Sequence, residues 1–357
     1  MAYFPSAFVR HGRETRAQVA PRRAERQPWR VPYPSHAPSH ARAVLLRAGQ
    51  ARAALRAVAT GTFRPVGARY DVRRVRRWPV RALRGGPTGL AASYRLTDGS
   101  VEITILSAAP SCSADDAAWA MTAARGLVAL DDDPRAFLAM AHLHPLVKEL
   151  ATRFDCHLDR MPTIFEGFAR AVIEQLVTTF EAKASIRRLF WKAGELVEGT
   201  ELRAPPTPQA VLGVAAWELH AMGIGSQRSR TLREGARRGA ALERLRDVPP
   251  EIATEKIQSL PGVGPWTANL VALYALAWSD AVPVGDCHAP YVVSGALTGE
   301  QGDDAAMLEA LAPFRPHRAR VVQLLMRGWT KDALPGFDRL ARRLPRVDPH
   351  RREPWRY

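Results

Sequence analysis

Apolar and polar side chains alternate in two short runs, ASYRL (92–96) and SVEITIL (100–106), on either side of Thr97-Asp98-Gly99. Alternation with period two marks a strand with one buried face, and an Asp-Gly pair between two such runs predicts a hairpin. The β-rich pattern covers about 60–107, with 72–80 as a further strand and Arg84-Gly85-Gly86-Pro87 as a turn. Residues 113–129 then change to a helical period.

From 131 onward the pattern is almost entirely helical. Asp131-Asp132-Asp133-Pro134 reads as a helix start, because acidic residues and an early proline suit a helix N-terminus. Phe165, Phe168, Val172 and Ile173 fall on one helical face, and Phe180, Ala184 and Leu189 form a second apolar set. Pro205-Pro206-Thr207-Pro208 is a loop whose last residues start the next helix. The predicted class is α+β: a mostly helical body at 131–330 behind a small β-rich N-terminal domain at 43–130. Residues 1–42 carry arginine, proline and histidine with little periodicity and are expected to be a disordered basic arm. Residues 331–357 are read as a basic C-terminal tail.

Charge adds a partner. The 357 residues hold 51 Lys+Arg against 35 Asp+Glu, a formal charge of +16. Only five of the basic residues are lysines, so an Arg preference explains the choice of cation but not the excess. Such a field attracts polyanions, nucleic acid first. Cys112, Cys156 and Cys287 are too few and too scattered for a disulfide framework or a four-thiolate metal site. No apolar run reaches membrane-spanning length, and the Arg-rich start lacks the apolar core of a secretory signal. The expected setting is a reducing cytoplasm, at the nucleoid in a bacterium.

The sharpest local signal is LPGVGPWTA (260–268), between helical stretches at 250–259 and 265–277. Gly262 and Gly264 permit backbone geometries and close approaches that side chains forbid, and Pro265 suits a first helical turn. Leu260 and Val263 pin the hairpin to its helices. The free N–H groups at the helix start, up to Thr267, then form a nest for a phosphate. Downstream, Asp286 sits in VPVGDCH (282–288), a loop before the apolar run 289–297. A carboxylate there either caps the helix or does chemistry. A fixed anion stabilises the oxocarbenium-like charge that develops when an N-glycosidic bond breaks, and it can orient a water. Nearby Asp280 reads as a solvated loop residue, and Asp303 and Asp304 as another helix start.

Gln175, the 262–264 hairpin and Asp286, 24 residues beyond Gly262, together resemble the helix-hairpin-helix, Gly-Pro-Asp (HhH-GPD) superfamily of base-excision DNA glycosylases. The DNA-3-methyladenine glycosylase II branch is the most similar, over about 165–297. The resemblance implies an enzyme that flips a damaged base, an alkylated purine in that branch, out of double-stranded DNA and cuts its glycosidic bond with Asp286. It further implies a monomer without membrane association. Bifunctional relatives carry a lysine four residues after the first hairpin glycine; here that position holds Trp266, and indole forms no Schiff base. One-step hydrolysis is expected. No cysteine follows Cys287, so no iron–sulfur cluster is expected. No other metal or cofactor is expected, a monovalent cation at the hairpin apart. Trp266, Phe165 and Phe168 are the candidate base-pocket walls, with Trp217 and Tyr274 as further aromatics. Gln175 and Leu176 are the candidate wedge, the leucine entering the duplex where the base leaves. His288 is a loop-ordering residue or a second catalyst, and Cys287 a packing residue. Leu270 and His317 stand where that branch carries further aromatics. Other lesions, a catalytically silent DNA binder and a bifunctional lyase remain as rival readings.

Overall fold

The alternating runs pair as expected. In the computed structural model, which describes residues 56–66, 70–76, 80–85, 88–107, 112–197 and 200–334, strands β3 (Thr88–Thr97) and β4 (Ser100–Ser107) form an antiparallel hairpin. Its turn residues Asp98 (φ 29°) and Gly99 (φ 76°) both take positive φ, as a two-residue hairpin turn requires. β1 (Arg56–Phe63) and β2 (Val80–Gly85) complete a four-stranded antiparallel sheet of order β1-β4-β3-β2. Val101, Ile103 and Ile105 bury one face of β4 against Leu83, Leu90 and Tyr94. Helix α2 (Ala114–Leu127) covers that face, its start fixed by a Ser113–Asp116 capping box.

The strand expected over 72–80 is not there. Residues Arg73–Arg76 form a short helix, α1, and β2 begins only at Val80. Asp71 accepts from the Arg73 amide (3.0 Å), which turns the chain. Arg74 then reaches Asp155 (2.7 Å), Asp159 (3.2 Å) and the His157 carbonyl (2.7 Å), so tertiary pairing overrides the local alternation. The basic arm at 1–42 and the tail beyond 334 lie outside the described residues.

The helical body has two cores. The first gathers Phe165, Phe168 and Val172 of α5 (Ile164–Glu174) with α6 (Thr179–Ala193), α7 (Pro208–Leu212), α8 (Ala216–Ala221), α9 (Ser226–Arg237), α10 (Gly239–Glu243), α11 (Pro250–Gln258) and α12 (Pro265–Leu276). Within α6 the buried stripe runs Ala182, Ser185, Leu189. Phe180 is therefore not part of the apolar set expected of it; it stands 82% exposed. The second core joins α3 (Arg135–Met140) and α4 (Pro145–Arg153) to α13 (Ala289–Thr298), α14 (Asp304–Leu311) and α15 (Arg318–Thr330).

The two cores are tied where α12 ends and α15 begins. Asp280, expected to be solvated, is buried there and receives two hydrogen bonds from the Arg318 guanidinium (2.8 and 2.7 Å). A buried carboxylate needs such a partner to offset its lost hydration. The Ala319 amide donates to the Ser279 carbonyl alongside (2.8 Å). From this tie α15 runs back antiparallel to α12, and its far end, Trp329, meets the His288 ring just before α13 (centroids 5.2 Å apart). Sheet and both helical cores belong to one compact unit. No described helix is long and apolar enough to cross a membrane.

Candidate active site

The hairpin between α11 and α12 is closed by the glycine that the motif demands. Gly262 has φ 80°, and a Cβ there would lie 2.0 Å from Thr231 Oγ1 on α9. Both the turn and the close approach exclude a side chain. Val263 is buried in the first core and Leu260 packs against it, so these two anchor the hairpin. Gly264 differs: a Cβ there meets nothing within 4 Å. Its neighbourhood is open at the start of α12, where unpaired N–H groups and the positive end of the helix dipole face outward. Thr267, read with the phosphate-binding residues, does not share that surface. It is 3% exposed, and its hydroxyl accepts from the Gln175 side chain.

That contact shows where the Gln-centred loop sits. Gln175 ends α5, and its amide donates both to Thr267 Oγ1 (2.8 Å) and to the Gly262 carbonyl (3.1 Å). The amide thus binds the loop to the hairpin. Leu176 follows with φ 52° and a fully exposed side chain. A left-handed leucine costs about 1–2 kcal/mol, and an exposed one returns no burial. Strain and exposure thus coincide at the residue that the sequence named as the candidate wedge. Thr178 and Glu181 then restart the chain as α6 with a capping box.

Asp286 takes the capping role that the sequence offered it, and its second oxygen makes a further contact. Oδ1 accepts from the backbone amides of His288 (2.8 Å) and Ala289 (2.9 Å), capping α13. Oδ2 accepts from the Trp266 indole N–H (2.9 Å), which comes from the first turn of α12. The loop is braced from behind, since both Asp304 oxygens accept from the Gly285 amide (2.9 and 3.0 Å). Asp304 was legible only as a helix start; its side chain serves the aspartate loop. Cys287 is exposed, not packed. The His288 ring lies against Trp329.

The aromatic walls are corrected. Phe165 and Phe168 are stacked on each other (centroids 6.5 Å apart) and buried in the first core, because the apolar stripe of α5 faces α9 and α12. Trp217 is exposed. His317 meets buried Phe137 in a T-shaped contact (centroids 6.2 Å apart). Of the aromatics proposed for the pocket, Trp266 touches Asp286 and Tyr274 lines a cavity two helical turns further along α12.

That cavity, of about 300 Å³, lies between helices of the first core and α15 of the second. Arg170 of α5 and Leu273 and Tyr274 of α12 line it on one side, and Gln323, Met326 and Arg327 of α15 on the other. Arg74, Asp159 and Met161 close the end toward the sheet. Its polar wall is built on Glu174, which accepts from Arg170 Nε (3.0 Å) and the Tyr274 hydroxyl (2.9 Å). The Arg170 guanidinium lies over the Tyr274 ring, 4.3 Å from its centroid. Burial, and then the neighbouring Glu174 charge, push the phenol's pKa upward, so Tyr274 stays a neutral donor. None of the sequence motifs pointed to this cavity.

No protein-family model matches the chain, and neither does any curated protein sequence. Solved structures do match its fold. A 3-methyladenine DNA glycosylase from Archaeoglobus fulgidus superposes with TM-score 0.63 at 19% identity, over 77% of this chain and 98% of that one. An 8-oxoguanine glycosylase/lyase from Clostridium acetobutylicum, in complex with double-stranded DNA containing cytosine opposite 8-oxoG, superposes with TM-score 0.54 at 16% identity, over 71% and 88%. The chain has the α+β fold of the HhH-GPD DNA glycosylases, a mostly helical body with a small sheet before it.

Proposed function

We propose that this protein is a monofunctional DNA glycosylase that removes a damaged base from duplex DNA by one-step hydrolysis. The observation that carries the reading is Asp286, capping α13 with one oxygen and joined to Trp266 of the hairpin helix with the other. The aspartate thus stands in fixed relation to the segment that would hold the DNA backbone. Leu176 supplies the wedge that replaces lost stacking when the nucleotide leaves the helix. The C1′–N bond then breaks, its electron pair leaving with the base. Positive charge on the sugar is met by the Asp286 carboxylate. Water adds to C1′ and passes its proton to Asp286 or to solvent, leaving an intact abasic site.

No strand cleavage follows, because Trp266 occupies the position where an amine would attack C1′. Both kinds of structural neighbour bear on the substrate: one acts on 3-methyladenine, the other on 8-oxoguanine. An alkylated purine is the substrate implied by the sequence resemblance, and Trp266 is the aromatic face that would receive it. The test is release of free base from lesion-bearing duplexes with borohydride present. Base release without a covalent protein–DNA adduct is the expected result. An adduct would establish a lyase, and binding without release would establish a silent DNA binder.

A further inference from the structure

We propose that the outer face of α6 is a binding platform for single-stranded DNA, whose bases stack on Phe180 and Trp191 and whose phosphates meet Lys183, Arg187 and Arg203.

The face is set by the period of the helix. Ala182, Ser185 and Leu189 form the buried stripe of α6. Half a turn away, Phe180, Lys183, Arg187 and Trp191 recur every three or four residues, so all four stand on one side. Each is exposed, Trp191 to 62%. Apolar residues scattered singly over a surface are ordinary. Large aromatics in line, on a helix whose other side already packs a core, mark an interaction surface.

The patch continues past the end of α6. The Arg203 guanidinium lies over the Trp191 ring, 4.8 Å from its centroid, and donates to the Gly194 carbonyl (2.8 Å), which holds it there. Leu196, also exposed, is paired with Arg203 in an isolated β-bridge. The Lys192–Glu218 ion pair (2.6 Å) brings α8, with exposed Trp217, to the same end.

Charge then selects the occupant. Lys183 and Arg187 make no side-chain hydrogen bond or ion pair among the described residues. They stand about 6 Å apart along the axis, between aromatics about 16 Å apart. Glu181 is spent on the capping box of α6 and Glu218 on Lys192, and Glu195 lies past the helix end. A duplex keeps its base faces inside its stack and offers such a surface only phosphates. A single strand offers both parts: every base has a π-face for an aromatic ring, and the backbone between bases carries the anions. A folded protein partner would have to set carboxylates between apolar contacts at this same spacing, whereas nucleic acid does so with any sequence and is drawn by a chain of charge +16. Asp286 and the 262–264 hairpin contribute nothing to the stripe, so the platform does not depend on the glycosylase reading.

The experiment measures binding of the full chain, by fluorescence anisotropy, to a short oligothymidylate, to a base-free abasic strand of the same length and to an intact duplex. Wild type should prefer the oligothymidylate to the base-free strand. Phe180→Ala and Trp191→Ala should each weaken oligothymidylate binding about fivefold to a hundredfold and leave duplex binding unchanged. Phe180→Tyr, which keeps the ring, should retain the wild-type affinity. Arg187→Gln should weaken both single-stranded probes and reduce their salt dependence. Phe180 touches no core, so its variants remain informative if Trp191→Ala disturbs Arg203. An oligothymidylate affinity that neither alanine moves, a wild type that binds the base-free strand equally well, or a loss shared equally by the duplex overturns the platform. Unmoved single-strand affinity together with loss of self-association in sedimentation would overturn it in favour of a contact between two copies of the chain.

Discussion

Asp286→Asn replaces one oxygen with an amide nitrogen and removes one charge, and the structure separates the two consequences. Oδ1 holds two backbone donors and Oδ2 one indole donor. An asparagine oxygen can keep the helix cap, but its amide group then faces the Trp266 N–H, donor against donor. In this half-buried place the lost bond costs about 1 kcal/mol, the low end of the range for such groups. Thermal unfolding should fall by only about 2–4 °C. The catalytic loss is larger. A unit charge about 4 Å from the forming sugar cation, at an effective dielectric constant of about 20, contributes about 4 kcal/mol. At about 1.4 kcal/mol per decade, the single-turnover rate should drop about a thousandfold. DNA affinity should hold or rise slightly, since an anion has been taken away from a polyanion's path. The rate is read as alkali-labile abasic sites, affinity by fluorescence anisotropy, and stability by calorimetry. A variant releasing base within tenfold of wild type, with unchanged stability, would refute the proposed role of the carboxylate.

Three further outcomes follow. Gly264→Val, at an open position, should leave the melting temperature unchanged, weaken binding to damaged and undamaged duplexes alike and flatten its salt dependence, whereas Gly262→Ala, strained by φ and by Thr231, should unfold the hairpin; equal effects on stability would remove Gly264 from the phosphate site. Leu176→Gly should raise stability by about 1 kcal/mol through relief of its positive φ while slowing base release on duplex more than on single-stranded substrate; a loss of stability would show that Leu176 packs on something. His157 is buried with Nδ1 2.6 Å from Asp155 and Nε2 2.6 Å from the Val66 carbonyl, so both nitrogens carry protons. Burial acts against the charge, but the hydrogen bond to Asp155 and its anion prevail and raise the pKa. The resulting stabilisation is complete below about pH 6.5, the unfolded value, and is lost as pH rises through the folded one. The melting temperature of wild type should therefore decline over that interval, and that of His157→Gln should not.

What the sequence disclosed was local. The β3–β4 hairpin rests on alternating runs of five and seven residues, and the 262–264 hairpin on one glycine whose φ its own turn imposes. Asp286 was singled out by its distance along the chain from that turn, through the family resemblance, and the structure joins it to that turn's helix by the Trp266 indole. The periodicity of α5 placed Phe165 and Phe168 on its apolar stripe but could not say that this stripe is the core side. Its other stripe, Arg170 and Glu174, has the look of a solvated ion pair, and it is the cavity wall. That cavity was illegible because Arg74, Arg170 and Arg327 come from three segments brought together only by tertiary packing. Asp280 was misplaced for the same reason: its partner, Arg318, is 38 residues away.

On the glycosylase reading proposed above, the Gln175 amide, bonded at once to the hairpin carbonyl and to Thr267, has a consequence for how such an enzyme would search DNA. Because the loop that carries Leu176 is fastened to the hairpin that would rest on the phosphates, Leu176 would arrive at the stacked bases in the same stance at every landing, on intact and lesioned sequence alike. Interrogation would then require no separate triggering step: each stop would already be a probe, its duration set by how readily the local base pair yields.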